Sequence, residues 1–104
     1  MKTYNKLVRD NIPEIIKNSG KKFNIRILDN CTYYEALISK LLEEVNEFIE
    51  SDNPEEIADI LEVIEAIILA KNLTLDEINE MKKYKKQERG GFDKKILLED
   101  VYED

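Results

Sequence analysis

The sequence predicts a small, mostly α-helical bundle that contains an antiparallel pair of acidic helices. Only 3 glycines and 2 prolines occur in 104 residues, of which 42% are hydrophobic and 38% charged. This composition is typical of a helical globular protein rather than a disordered chain. Apolar residues recur at helical spacing in two long segments, and capping residues stand between them. The length favours a single domain over residues 1–104.

The first predicted helix is short, because its start and stop signals stand close together. Asp10-Asn11-Ile12-Pro13 offers a capping residue followed by proline in the first turn, and Ser19-Gly20 is a typical helix end. Two other segments carry strand-like patterns, residues 23–27 by alternation and residues 95–99 by an apolar run. A minor two-stranded sheet is therefore a further expectation.

The second and third predicted helices are joined by a tight turn at Asp52-Asn53. The second runs from Thr32 to about Glu50, and the third from Pro54 to about Lys71. The third helix is apolar on more than one side, so it needs neighbours beyond the second. This predicts a homodimer or homotetramer with a shared helical bundle. One arc of the second helix is apolar, formed by Tyr34, Leu37, Ile38, Leu41, Val45 and Phe48.

The fourth predicted helix opens with a capping box and closes with glycine. Thr74-Leu75-Asp76-Glu77 has the T-x-x-E pattern, and Gly90-Gly91 follows the last helical residue. The C-terminal half of this helix is basic and contains Lys82, Lys83, Lys85, Lys86 and Arg89.

Composition also excludes several classes of function. The chain contains no His, so Ser-His-Asp triads, Cys-His dyads and imidazole acid–base chemistry are excluded. A net charge of −7 argues against nucleic-acid binding, which needs a basic surface. A single cysteine, with no apolar leader and no membrane-length apolar run, predicts a cytoplasmic protein that does not contact a membrane.

Acidic residues are concentrated in the second and third helices. Residues 41–70 carry ten acidic side chains and no basic one, whereas the rest of the chain has a net charge of +3. Glu44 and Glu47 are three residues apart, as are Glu56 and Asp59, so each pair projects from one side of its helix. In a tight antiparallel hairpin Glu47 is level with Glu56, and Glu44 with Asp59. Four carboxylates could therefore converge around one volume.

Such a convergence requires a counter-charge, because like charges at this spacing repel strongly. Oxygen ligands without His or Cys favour Mg²⁺, with Mn²⁺ as a second choice. The alternative is that these glutamates form an ordinary solvated helix face. A solvated face usually includes Lys four residues after Glu, and no basic residue occurs between Lys40 and Lys71.

The acidic residues also stand in a recognisable order. Glu43-Glu44-Val45-Asn46-Glu47 followed by Glu56-Ile57-Ala58-Asp59 resembles the EExxE…ExxD signature of the all-α nucleoside triphosphate pyrophosphohydrolases, the MazG-like superfamily. The phrases YNKLVRD, at residues 4–10, and RGGF, at residues 89–92, resemble the two ends of a small branch of it. That branch is often labelled phosphoribosyl-ATP pyrophosphohydrolase-like.

The resemblance implies Mg²⁺-dependent hydrolysis of the α–β phosphoanhydride of a nucleoside triphosphate, which gives a monophosphate and pyrophosphate. Glu44, Glu47, Glu56 and Asp59 would hold the metal, and Glu47 or Glu43 would orient or deprotonate the attacking water. House-cleaning of noncanonical nucleotides is the expected role. The candidate phosphate-binding cations are Lys6, Arg9, Lys40, Lys83, Lys86 and Arg89.

Two alternative functions stay open at this point. One is the phosphoribosyl-ATP pyrophosphohydrolase of histidine biosynthesis, which shares the helical core of the superfamily. The other is a noncatalytic helical module that oligomerises through its third helix and presents an acidic face to a basic partner.

Overall fold

The computed structural model describes residues 1–103 and contains four α-helices in this part of the chain. They are α1 (Ile12–Asn18), α2 (Asn30–Ser51), α3 (Pro54–Ala70) and α4 (Leu75–Arg89). The predicted mostly α-helical fold is confirmed. The chain divides into two compact units, Met1–Leu73 and a second unit that begins at Thr74. The single-domain interpretation of residues 1–104 stays a prediction.

The predicted minor sheet is wrong, since residues 1–103 contain no strand. Phe23, Ile25 and Ile27 are all exposed, so their alternation does not bury one face. In the second segment Ile96 is 78% exposed and Leu97 83% exposed. Strand pairs are marginal unless one face packs on a core, and neither segment packs in this way.

The helix starts are explained by their capping residues. The side chain of Asp29 accepts a hydrogen bond from the Thr32 N–H at 2.7 Å, which starts α2 two residues before the predicted Thr32. Asn53 and Thr74 cap α3 and α4 in the same way. Asn11 precedes α1 but makes no capping hydrogen bond through its side chain.

Helices α2 and α3 form an antiparallel hairpin with a two-residue turn, Asp52 and Asn53. Asp52 adopts the left-handed conformation, with φ of 51°, which Asp and Asn tolerate better than most residues. The facing sides of the two helices supply the buried apolar core of the first unit, made of Leu37, Val63 and Ile68. The hairpin is therefore the element that positions any site built on α2 and α3.

A second apolar side of each hairpin helix is exposed. Ile38, Leu42 and Ile49 recur at helical spacing along α2, as do Ile57 and Leu61 along α3. In each helix the stripe is rotated in the same sense, by roughly a third of a turn, from the buried residues that face the other helix. Because the two helices run antiparallel, this places both stripes on the same side of the hairpin, here called the apolar flank. Leu42 is 62% exposed, Ile49 70% and Leu61 56%. No helix in residues 1–103 is long and apolar enough to cross a bilayer.

The buried position of Leu37 yields a stability prediction. Leu37 is 2% exposed, so Leu37→Ala should remove packing between α2 and α3 and lower the free energy of unfolding by about 2–4 kcal/mol. Urea denaturation followed by circular dichroism measures the loss. Leu97→Ala is the control, because Leu97 is exposed, and it should change stability by less than about 0.5 kcal/mol. Equal losses in the two variants would contradict this description of the core.

Candidate metal centre

Five carboxylates of α2 and α3 come together on the side of the hairpin opposite to the apolar flank. We call Glu43, Glu44, Glu47, Glu56 and Asp59 the acidic cluster. Oxygens of Glu43, Glu44 and Glu47 lie within 4.8 Å of one another, and the same limit holds for Glu44, Glu56 and Asp59. Glu44 belongs to both groups. The five predicted acids thus form two groups that share Glu44, with Glu47 in the first and Glu56 and Asp59 in the second. The convergence of Glu44, Glu47, Glu56 and Asp59 on one ion stays a prediction.

Glu44 is the buried member of the cluster, with 7% of its surface exposed. It stands seven residues after Leu37, so both side chains point from α2 toward α3. One oxygen, Oε1, lies 3.4 Å from the ammonium group of Lys40. The other, Oε2, is buried without a hydrogen-bond partner in residues 1–103, and the same is true of Glu56 Oε2.

These two oxygens are the features that point to a ligand. A buried carboxylate oxygen without a donor is costly, and proteins rarely leave one in that condition. Each belongs to a group of three acids whose oxygens are close enough to share one ion. The ligand set consists of oxygens alone, which suits a hard divalent cation such as Mg²⁺.

Crowding raises the pKa of two carboxyls in the cluster. Partial burial, followed by the charges of Glu47 and Asp59, raises the pKa of Glu56 to about 7. Burial and the charge of Glu47 also raise the pKa of Glu44, although Lys40 opposes the shift. Glu44 and Glu56 therefore bind protons more tightly than free carboxyls do, and a divalent cation has to displace these protons.

Glu43 differs from its neighbours because two lysines contact it. Lys6 Nζ donates a hydrogen bond to Oε1 at 2.7 Å, and Lys40 Nζ donates one to Oε2 at 3.3 Å. The hydrogen bond from Lys6, with the nearby charge of Lys40, holds the pKa of Glu43 below its ordinary value. Glu43 therefore stays ionised and serves as an anchor for cations.

The N-terminal segment brings two of the predicted phosphate-binding cations to the cluster. We call residues 4–9 the N-terminal strap. Its Lys6 contacts Glu43, and Arg9 Nη2 donates to Asp59 Oδ1 at 2.7 Å. Leu7 is half-buried, whereas the other strap residues are exposed. A cleft of about 160 Å³ lies between the strap and α2, lined by Asn5, Lys6, Leu7, Ala36, Ser39, Lys40 and Glu43.

Lys40 lies within the site, but as a partner of its acids. Its side chain is only 16% exposed and contacts both Glu43 and Glu44. The prediction that Lys40 contacts phosphate did not include this pairing, although Lys40 stands three and four residues before these glutamates, the spacing at which helical side chains meet. With Lys6 and Arg9, three cations face five carboxylates. Full ionisation leaves two negative charges, which one divalent ion balances.

The remaining candidate cations belong to the second unit. Lys83, Lys86 and Arg89 lie on α4, and all three are exposed. Their contact with phosphate stays a prediction.

A larger depression, of about 340 Å³, lies elsewhere on the first unit. Tyr33 lines it together with Glu62, Glu65 and three apolar residues of α3, and no cation does. Its walls would repel a polyphosphate, so the cleft beneath the strap is the better place for one.

Part of the chain is similar in sequence to a known protein. A 46-residue segment, 44% of this chain, is 50% identical to a Mycolicibacterium smegmatis protein described as uncharacterized. The match spans about half of that relative, 47% of its length. No protein-family model matches the chain. No solved structure matches it either.

The raised pKa values predict how the stability of the metal-free protein depends on pH. Glu56 binds its proton more tightly when folded, with a pKa of about 7 against 4.5 in the unfolded chain. The tighter proton binding contributes to the free energy of unfolding. This contribution is fully present below pH 4.5 and is lost as pH rises through about 7. In a chelator, the melting temperature should therefore fall between pH 5 and pH 8.

Glu56→Gln provides the matched test, because Gln is uncharged at every pH. Its melting temperature should vary less over the same range than that of the wild type. Glu62→Gln, an exposed acid on α3 outside the cluster, should keep the wild-type pH dependence. A wild-type melting temperature that rises from pH 5 to pH 8 would show that burial and repulsion do not dominate at Glu56.

Proposed function

We propose that the acidic cluster binds Mg²⁺ and that the protein is a nucleoside triphosphate pyrophosphohydrolase of the MazG-like type. The observation that carries the proposal is the buried Oε2 of Glu44, which has no hydrogen-bond partner in residues 1–103. Glu44 belongs to both groups of acids whose oxygens lie within 4.8 Å of one another. A solvated acidic face would leave these oxygens in water. The resemblance of the acidic segment to the EExxE…ExxD signature supplies the class of reaction.

The proposed ligands are Glu44, Glu47, Glu56 and Asp59, and Mn²⁺ would use the same oxygens. Mg²⁺, when bound, would neutralise phosphate charge and lower the pKa of a coordinated water. The residues fit this ion, because the four ligands offer several carboxylate oxygens. The whole acidic cluster, with Lys6, Lys40 and Arg9, also retains two negative charges when it is ionised.

Glu47 is the preferred proton acceptor of the two candidates. Glu43 is held by Lys40 on α2 and, before an ion binds, also by Lys6, and these lysines stabilise its charged form and make it a weak base. Glu47 contacts no lysine or arginine in residues 1–103 at ion-pair distance. In the proposed reaction, water attacks the α-phosphorus, its proton passes to Glu47, and the bond to the bridging oxygen breaks with release of pyrophosphate.

The cations of the chain have separate tasks in this scheme. Arg9 and Lys6, on the exposed strap, would contact phosphate oxygens, and the planar guanidinium of Arg9 can bind two of them at once. Lys40 would keep Glu43 and Glu44 oriented. Lys83, Lys86 and Arg89 of α4 are proposed as further phosphate contacts.

The apolar flank supports the proposal of a homodimer or homotetramer. Ile38, Leu42, Ile49, Ile57 and Leu61 form one exposed surface across both hairpin helices. Packing two hairpins through these flanks would give a shared bundle and leave both acidic clusters facing outward.

The proposed biological role is removal of noncanonical nucleotides in the cytoplasm. The histidine-pathway alternative predicts that the gene restores growth without histidine to a strain that lacks phosphoribosyl-ATP pyrophosphohydrolase. Failure of this rescue would remove that alternative. The noncatalytic alternative predicts that no nucleotide is hydrolysed and that Mg²⁺ does not raise the melting temperature.

The activity prediction is tested by pyrophosphate release from a panel of normal, deoxy and damaged nucleoside triphosphates. We expect release from at least one of them with Mg²⁺ and none in a chelator. Glu47→Gln should lower kcat by about a hundredfold or more, because it removes both the proton acceptor and the charge of a proposed metal ligand. Circular dichroism should show unchanged helical content.

Glu62→Gln is the control for the loss of one acidic charge on the hairpin. Glu62 is exposed and outside the cluster, so this variant should retain wild-type activity. Wild-type rates in Glu47→Gln, or no release from any nucleotide, would contradict the proposed reaction.

The oligomer prediction is tested by sedimentation equilibrium. The wild type should be a dimer or tetramer, and the double variant Leu42→Glu, Leu61→Glu should be a monomer, because it places charges on the apolar flank. Leu97→Glu is the matched control, since Leu97 is 83% exposed and lies outside the flank. A monomeric wild type at high concentration would contradict self-association.

A further inference from the structure

We propose that Lys6 and Arg9 are exchangeable internal cations of the acidic cluster. They neutralise its outer carboxylates when no divalent ion is bound, and metal binding frees them for the phosphates of the substrate. The inference rests on the proposed function and adds a conformational step to it, the release of the N-terminal strap.

The two strap cations are divided between the two groups of carboxylates. Lys6 contacts Glu43 of the first group, and Arg9 contacts Asp59 of the second, each at 2.7 Å. Glu44, which the groups share, contacts neither of them and is paired with Lys40. The strap therefore covers the outer edge of each group and leaves the buried oxygen of Glu44 free for an ion.

The strap is held weakly enough to exchange. The side chains of Lys6 and Arg9 are 41% and 57% exposed, and exposed ion pairs contribute little to stability. Leu7 is half-buried, and every other residue of the strap is exposed. The backbone from residue 4 to residue 9 is irregular, so no helix or strand has to break when the strap moves.

A divalent ion weakens both contacts for the same electrostatic reason. It takes the charge of Asp59, to which Arg9 is bound, and its own positive charge repels both Arg9 and Lys6. Asp59 cannot give the same oxygen, Oδ1, to the ion and to Arg9 at full strength. The released cations then lie beside the cleft on α2, where a polyphosphate brings the negative charge that they have lost.

The first arm of the test measures Mg²⁺ alone by isothermal titration calorimetry on the full chain. Lys6→Gln and Arg9→Gln each remove a competitor, so each should tighten Mg²⁺ binding by roughly two- to fivefold, the range that an exposed ion pair allows. Lys17→Gln is the matched control, because Lys17 is exposed and forms no ion pair in residues 1–103. Its affinity should equal that of the wild type.

The second arm measures inorganic pyrophosphate at saturating Mg²⁺. Lys6→Gln and Arg9→Gln should bind pyrophosphate several-fold more weakly than the wild type does. This change in affinity is opposite to the one expected for Mg²⁺ in the first arm. A merely structural role for the strap would not produce opposite changes for the metal and the anion.

The third arm follows the strap itself by the rate of tryptic cleavage after Lys6 and Arg9, identified by mass spectrometry. Mg²⁺ should accelerate cleavage in the wild type. It should have no effect in Glu44→Gln, which lacks the charge that holds the ion.

The outcomes separate the two proposals. Mg²⁺ affinity that is unchanged or weaker in Arg9→Gln, or slower cleavage with Mg²⁺, would overturn the exchange and leave the metal site intact. Absence of Mg²⁺ binding to the wild type would overturn the proposed function itself.

Discussion

The structure depends on the packing of α2 against α3, which forces like charges together. Leu37 and Val63 are buried between the helices, and the two-residue turn fixes which residues face each other. The same register places carboxylate oxygens within 4.8 Å of one another. At an effective dielectric constant of about 20, each such pair of charges repels by roughly 3 kcal/mol. Apolar burial therefore holds an arrangement that electrostatics alone would disperse.

The chain relieves the repulsion between these carboxylates in two ways, by protonation and by nearby cations. The proposed divalent ion would relieve it in a third way. Protonation is favoured at Glu56 and Glu44, whose pKa values are raised. Lys6, Lys40 and Arg9 supply positive charge from the strap and from α2. In residues 1–103, the buried Oε2 atoms of Glu44 and Glu56 have no hydrogen-bond partner. A divalent cation would satisfy these oxygens, and this links stability, pH and metal binding at one site.

The two sides of the hairpin have different chemistry, and the tasks that we propose for them differ accordingly. One side carries the acidic cluster and the N-terminal strap, and the other carries the apolar flank. Assembly through the apolar flank would bury surface that a single chain exposes without covering the acids. In this arrangement the interface would stabilise the hairpin, and the hairpin would hold the carboxylates in place for the ion.

Much of the site was readable because it depends on local spacing. Capping residues and periodicity gave α2 and α3, and the short turn gave the level pairing of Glu47 with Glu56 and Glu44 with Asp59. The expectation failed for residues 23–27, where alternation alone suggested a strand. A strand is stable only when it pairs with another strand and packs one face on a core. The alternation of a few residues does not show whether either condition is met.

The sequence by itself determined the four helices, the turn, and the spacing that lets five acids converge. Only the tertiary structure decided that Glu44 is the buried acid and that Lys6 and Arg9 reach Glu43 and Asp59. The contact between Lys6 and Glu43 spans 37 positions of the sequence, and the contact between Arg9 and Asp59 spans 50. Helical spacing follows from bond geometry within a few residues, whereas contacts across such distances depend on how the whole chain packs.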